Sequence, residues 1–185
     1  MRTFRVIVAV AIAALVASTA RAQRAGAAAA PEALLDKMTG RWVLTGTIGK
    51  QQTTHDVDVD WILNREYIRI HEVSREKNAA GGPEYEAWIH IAWDAKKSEY
   101  AVLWLDNTAV FTFAADGIGH AKPDGDRIPI LFTDPDGGGI HTTFSYDRTT
   151  DTWSWTIDNV DKMGRVSSFA KVTLRRSTQR DTRGI

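Results

Sequence analysis

The chain has 185 residues, 23 basic and 23 acidic side chains, and no cysteine. That length suits one domain with a sizeable core. The even charge balance supplies no phosphate-tracking surface and argues against nucleic acid as a partner. The lack of cysteine excludes disulfides and a lipid-anchored N-terminal cysteine.

Arg2 and Arg5 precede an uncharged apolar run over 6–17, and Ser18-Thr19-Ala20-Arg21-Ala22 then gives the small-x-small pattern of a signal-peptidase site. Residues 1–22 are therefore expected to be a signal peptide cleaved after Ala22. The run of about 12 apolar residues falls short of the roughly 20 that cross a bilayer, so no stable membrane anchor is expected. The expected location is periplasmic or secreted. Cleavage removes Arg2, Arg5 and Arg21, leaving 20 basic against 23 acidic residues. The Ala-rich stretch 23–30 reads as a disordered leader. Pro31-Glu32 then opens a short helix to Met38, with Leu34, Leu35 and Met38 on its apolar side, and Gly40 stops it.

From Arg41 the apolar period becomes two. Ten strands are expected, over 41–48, 54–63, 66–73, 84–93, 98–105, 108–114, 127–133, 140–147, 151–159 and 166–175, separated by turn residues such as Gly49-Lys50, Asn64-Arg65 and Asp106-Asn107. Short strands at even spacing with no long helix between them predict an all-β fold: an antiparallel up-and-down β-barrel of about ten strands over 31–176, followed by a tail at 177–185.

Residues opposite one another in an antiparallel pair share a face, so each turn predicts a register. Asn64-Arg65 pairs Trp61 with Ile68 and Val59 with Ile70. The next turns pair Ile91 with Tyr100, Ile89 with Val102 and Ala87 with Trp104, then Trp104 with Ala109, Val102 with Phe111 and Tyr100 with Phe113. Late in the chain Phe144 meets Trp153, Thr142 meets Trp155, Trp155 meets Ala170 and Trp153 meets Val172. The expected interior is aromatic and aliphatic. The opposite face carries Asp56, Asp58, Asp60, Arg69, Glu86 and Lys171, but also Trp88, Ala101, Leu103, Leu105 and Val110. These apolar residues are expected to be covered by the leader and helix or by a second copy, so the chain is a monomer or homodimer.

Gly40-Arg41-Trp42 after a helical turn, with Arg175 and Arg176 at the end of the last strand, resembles the start of the lipocalins, in which a late arginine crosses the Gly-x-Trp tryptophan. Together with the WILNREYIRI and FSYDRTTDTWSW hairpins, it makes most of the mature chain similar to lipocalin-like (calycin superfamily) domains of exported bacterial proteins of unknown function. The lipocalin Thr-Asp-Tyr motif is echoed only by Thr133-Asp134-Pro135, and no C-terminal helix follows. Ten strands lean toward the fatty-acid-binding and nitrobindin-like relatives. Yet 49–53 is too short for a two-helix lid, and no histidine follows His141 to hold haem. The resemblance implies a fold and a binding habit, without naming a ligand or cofactor.

Five histidines are present, and the register clusters Arg69, His71, Trp88 and His90 on one face, expected to be the outer one; with the faces of 66–73 and 84–93 inverted, the same four residues would line the lumen. Two histidines without a third ligand make a poor metal site, so no metal is expected there. Asp134-Pro135-Asp136-Gly137 and Asp124-Gly125-Asp126 do not fit a twelve-residue calcium loop and read as turns. Inside, the polar groups are His55, Glu72, Tyr100, Thr142, Ser168 and the tyrosines Tyr85 and Tyr146. A mostly apolar pocket with a few placed polar groups is the usual form of a small-molecule site.

The expected ligand is a small hydrophobic or amphipathic molecule, held by Trp61, Ile70, Ile89, Val102, Trp104, Phe111, Phe144 and Trp155 and oriented by His55, Glu72 and Tyr100. No paired nucleophile and base is recognisable by spacing, so no catalytic residue is assigned. Two alternatives remain: acid–base chemistry on a bound hydrophobic molecule through His55 and Glu72, or a protein-interaction scaffold using Trp88, Leu103 and Leu105.

Overall fold

A computed structural model describes residues 29–109 and 113–178. The expected signal peptide and most of the leader lie outside the described residues, as do Val110 and Phe111. The chain divides at Asp36/Lys37 into two units, and the second contains the barrel. A helix α1 (Ala29–Met38) is followed by strands β1 (Gly40–Ile48), β2 (Gln51–Ile62), β3 (Tyr67–Ser74), β4 (Glu86–Asp94) and β5 (Glu99–Asp106). A 3-10 turn over Ala115–Gly117 leads to β6 (Ile118–Ala121), β7 (Arg127–Thr133), β8 (Gly139–Asp147), β9 (Thr152–Val160) and β10 (Val166–Arg176). Each strand pairs antiparallel with its sequence neighbours, and β1 pairs with β10, closing a ten-stranded up-and-down barrel. Such a barrel is compatible with a lipocalin-like fold.

Alternation decides the faces. In β2, His55, Val57 and Val59 are buried while Asp56 and Asp58 are exposed. The outward aspartates of β2 meet arginines from β1, β3 and the segment after β3: Asp58 with Arg41, Asp60 with Arg69 and Asp56 with Arg75. Pleat and charge therefore select one register. A slip by one residue would bury these carboxylates, at a cost of several kcal/mol.

The first expected register holds, with Trp61 opposite Ile68 and Val59 opposite Ile70. Two others keep the face and slide by one residue pair: Ile89 lies opposite Trp104, and Phe144 opposite Trp155. Both hairpins use four-residue loops. An aspartate opens each, Asp94 or Asp147, and its Oδ1 accepts backbone N–H bonds two and three residues on. A left-handed residue closes each, Ser98 at φ 52° and Asp151 at φ 49°. The β9–β10 register also moves, so that Val172 faces Trp155: the turn offsets the pairing by one residue and the bulge at Phe169 by one more. The bulge turns Ser168 to solvent, correcting its expected place in the lumen.

The expected strand 108–114 is the main departure. Thr108 and Ala109 form a turn after β5, and the partner of β5 is β6, with Ala121 opposite Tyr100 and Gly119 opposite Val102. Gly119 belongs there because a Cβ would come within 2.6 Å of Ile130 and 2.7 Å of Phe132. A four-residue strand reading Ile-Gly-His-Ala gives almost no alternation signal. β6 also meets β7 through a single residue pair, His120 with Leu131, the thinnest seam of the wall.

At the start of β1, Trp42 is 1% exposed and its Nε1 donates to the Met38 carbonyl at 2.7 Å. Of the two late arginines, Arg176 lies over the ring, 3.8 Å from its centroid. Its guanidinium donates to the carbonyls of Thr39 and Lys37 at 2.5 and 3.1 Å and to Asp151 at 3.0 Å. Gly40, at φ +118°, lies where a Cβ would meet Arg176 Nη1 at 2.6 Å. Glycine is thus needed so that the arginine can cross the tryptophan.

Candidate functional site: a polar end in an apolar barrel

The barrel interior is filled toward the Trp42 end and open toward the other. The open part is a cavity of about 570 Å³, within the range of about 300–1,000 Å³ usual for small-molecule sites. Its apolar wall includes Ile48, Ile140, Trp155, Ile157, Phe169 and Val172, and its polar wall Thr53, His55, Glu72, Glu76, Tyr85 and Asp106.

Among the polar residues of the lining, His55 and Glu72 are the least exposed, at 2% and 1%. The register sets His55 opposite Ser74 and Glu72 opposite Val57, so the two are diagonal neighbours on the inner face. His55 Nδ1 makes a short hydrogen bond with Glu72 Oε1, and Nε2 lies 2.7 Å from Thr53 Oγ1. Thr53 gives its hydroxyl proton to Glu76 Oε2 at 2.9 Å, while Glu76 Oε1 accepts the Thr54 N–H at 3.0 Å.

Proton counting then fixes the roles. A threonine has one hydroxyl proton, so with that proton on Glu76 the His55 Nε2 must carry N–H. One further proton is shared between Nδ1 and Glu72, which makes the buried pair neutral overall and removes most of the cost of burying a carboxylate. The remaining Glu72 oxygen, Oε2, has no hydrogen-bond partner. Burial acts to raise the Glu76 carboxyl, but bonds from its own backbone, Thr53 and Thr54, with the nearby His55 ring, hold it below the usual range.

A second polar chain flanks the first. The Tyr85 ring stacks on His55 at 5.7 Å between centroids. Its hydroxyl donates to Asp106 Oδ2 at 3.2 Å and accepts from Trp104 Nε1 at 3.1 Å. Asp106 Oδ1 accepts from the Thr108 hydroxyl at 2.5 Å and from the backbone N–H groups of Thr108 and Ala109 at 2.9 and 3.1 Å. Burial, then the charges of Glu72 and Asp106, push the Tyr85 phenol upward, keeping it a proton donor.

Of the residues expected to hold a ligand, His55, Glu72, Trp104 and Trp155 line the cavity. Glu72 is 1% exposed there. Ile70, Ile89, Tyr100, Val102 and Phe144 are buried in the filled part of the core. Trp61 lies toward the Trp42 end with the Arg65 guanidinium 4.7 Å from its ring centroid, and Phe111 is outside the described residues. Alternation determines the inner face but carries no information on depth along the barrel. Thr53, Glu76, Ile140 and Ile157 were not singled out from sequence. Thr53 had one available signal, its position two residues before His55 on the same face.

On the outer wall, His71 stacks on Trp88 at 3.8 Å and meets Glu86 at 2.9 Å, while Arg69 lies 5.5 Å from the Trp88 ring. Burial and the Arg69 charge lower the His90 pKa. Among the described residues no three histidine or carboxylate side chains converge as a metal site requires, and no helix is long and apolar enough to cross a membrane. No protein-family model matches the chain, and no curated protein is significantly similar to it.

Proposed function

We propose that the protein is an exported, lipocalin-like carrier that takes a small amphipathic molecule into the open end of its barrel. The observation that carries this reading is the 570 Å³ cavity, with aromatic and aliphatic residues on one side and the Thr53–His55–Glu72 and Tyr85–Asp106 chains on the other. The apolar wall provides affinity, at about 25 cal/mol per Å² of apolar surface removed from water. The polar wall orients the ligand. The Gly40–Trp42–Arg176 cluster supports the lipocalin likeness, and the charged, apolar, small-residue order of 1–22 supports export.

Native mass spectrometry of the mature protein from its own host, followed by organic extraction, tests the reading. A stoichiometric small molecule is the expected result. An empty protein whose tryptophan fluorescence also ignores hydrophobic probes would refute it, since Trp104 and Trp155 line the cavity.

One observation favours acid–base chemistry as a second reading: His55 bridges the Thr53 hydroxyl and the buried Glu72, which sets a proton donor, Nε2–H, in the polar wall. His55→Asn separates the two. A carrier keeps affinity within a few fold, whereas an enzyme loses turnover of whatever ligand extraction identifies.

A further inference from the structure

The charges around the cavity are one-sided. Counting the His55–Glu72 pair as neutral, Glu76, Glu84 and Asp106 remain as carboxylates in the lining. Among the described residues no lysine or arginine lines the cavity, and none is ion-paired with these three. The nearest guanidinium in sequence, Arg75, is turned to the outer face, where it holds Asp56 at 2.6 Å. Cavity walls of low dielectric focus such a field inward.

Glu72 supplies an independent second observation. It lines the cavity at 1% exposure, and its Oε2 has no donor. An unsatisfied buried oxygen of this kind is costly to leave unpaired, and a ligand N–H that reaches it removes that cost. Trp104, Trp155 and Phe169 add aromatic faces, which attract cations and repel anions. A carboxylate headgroup would meet like charge and no donor cation.

We infer that the ligand is a cationic amphiphile: a protonated amine, bearing N–H donors for Glu72 and its neighbouring carboxylates, on an apolar body that packs against Ile140, Ile157, Phe169 and Trp155. The inference rests on the proposed carrier function and narrows it to one headgroup chemistry. It excludes fatty acids as the principal cargo.

The test uses three probes matched in chain and differing in headgroup: decylamine, decanol and decanoate, titrated at neutral pH and low salt by tryptophan fluorescence and calorimetry. Decylamine should bind at least about tenfold more tightly than decanol, as a charge-assisted hydrogen bond in a dry site implies, with decanoate weakest. Decanoate or decanol binding as well as decylamine would overturn the inference and leave the carrier reading standing. Failure of all three to bind would overturn both. Glu72→Gln should erase most of the amine preference, bringing the decylamine-to-decanol affinity ratio from at least about tenfold to within about twofold. Glu76→Gln, at a half-buried position, should reduce the preference less and covers the case in which Glu72→Gln does not fold. Full amine preference in a folded Glu72→Gln, or in Glu76→Gln should Glu72→Gln not fold, would remove the carboxylate basis of the inference.

Discussion

The two ends of the barrel interior are built from the same alternating pattern and do opposite things. Toward the start of β1, Trp42, Trp153, Phe144 and Tyr100 are each 0–1% exposed, and Phe144 packs edge to face on Trp153 at 6.5 Å. Toward the end of β1, Trp104 and Trp155 face a cavity, and the inward positions beside them hold small or polar residues: Thr53, His55, Glu72, Ser74 and Ala170. A ten-stranded wall encloses more width than small side chains fill. Side-chain volume at inward positions therefore decides whether a layer becomes core or container. The difference also separates stability from binding. Large residues remote from the cavity hold the fold, while small polar ones leave room and supply donors and acceptors.

The comparison breaks most sharply at Trp153. Trp153→Ala removes a fully buried ring and should cost about 3–5 kcal/mol in urea unfolding, with the headgroup preference of any folded fraction intact. A variant that lost specificity as readily as stability would show that the two ends are not separable.

Tyr100 gives the next largest effect, through pH. Burial pushes its phenol up to about 12, against an unfolded value of about 10. The folded state keeps the proton more firmly, so this stability is complete below pH 10 and lost as pH rises from about 10 to about 12, some 3 kcal/mol in total. Unfolding midpoints across that window should fall steeply in the wild type and more gently in Tyr100→Phe. Equal slopes would place the alkaline transition elsewhere.

At the open end the balance should reverse. Ile157→Trp directs bulk into the cavity and should weaken decylamine by about tenfold or more, about 1.4 kcal/mol. Stability should change by under about 1 kcal/mol, since a void rather than packed core receives the ring. A stability loss equal to that of Trp153→Ala would mean that the cavity layer is as tightly filled as the core. The smallest effect belongs to the wall itself. Arg75→Ala breaks an exposed ion pair with Asp56 and should shift urea stability by about 0.2–1 kcal/mol, leaving both interior regions unaltered.

The all-β class, the ten-strand count, the shared-face sets of β2 to β5 and the Trp42–arginine cluster were legible because alternation and turn residues are local signals. Registers across Asp94 and Asp147 moved by one pair because loop length depends on left-handed Ser98 and Asp151, which nothing in their side chains announces. β6 was missed because Ile118–Ala121 is too short and too mixed to alternate, and its place is set by Ile130 and Phe132 closing over Gly119.

The same divide runs through the site. The sequence by itself placed His55, Trp104 and Trp155 on the inward face, since the pleat has a period of two, but left the inward face of 66–73, which carries Glu72, open. Only the tertiary structure decided that they lie at the unfilled end, that Glu72 is enclosed with one oxygen unpartnered, and that Glu76 and Asp106 join it from segments read as turns. Depth along a barrel, and the meeting of side chains 17 or 21 positions apart, depend on strand stagger around a closed sheet, a property of all ten pairings together.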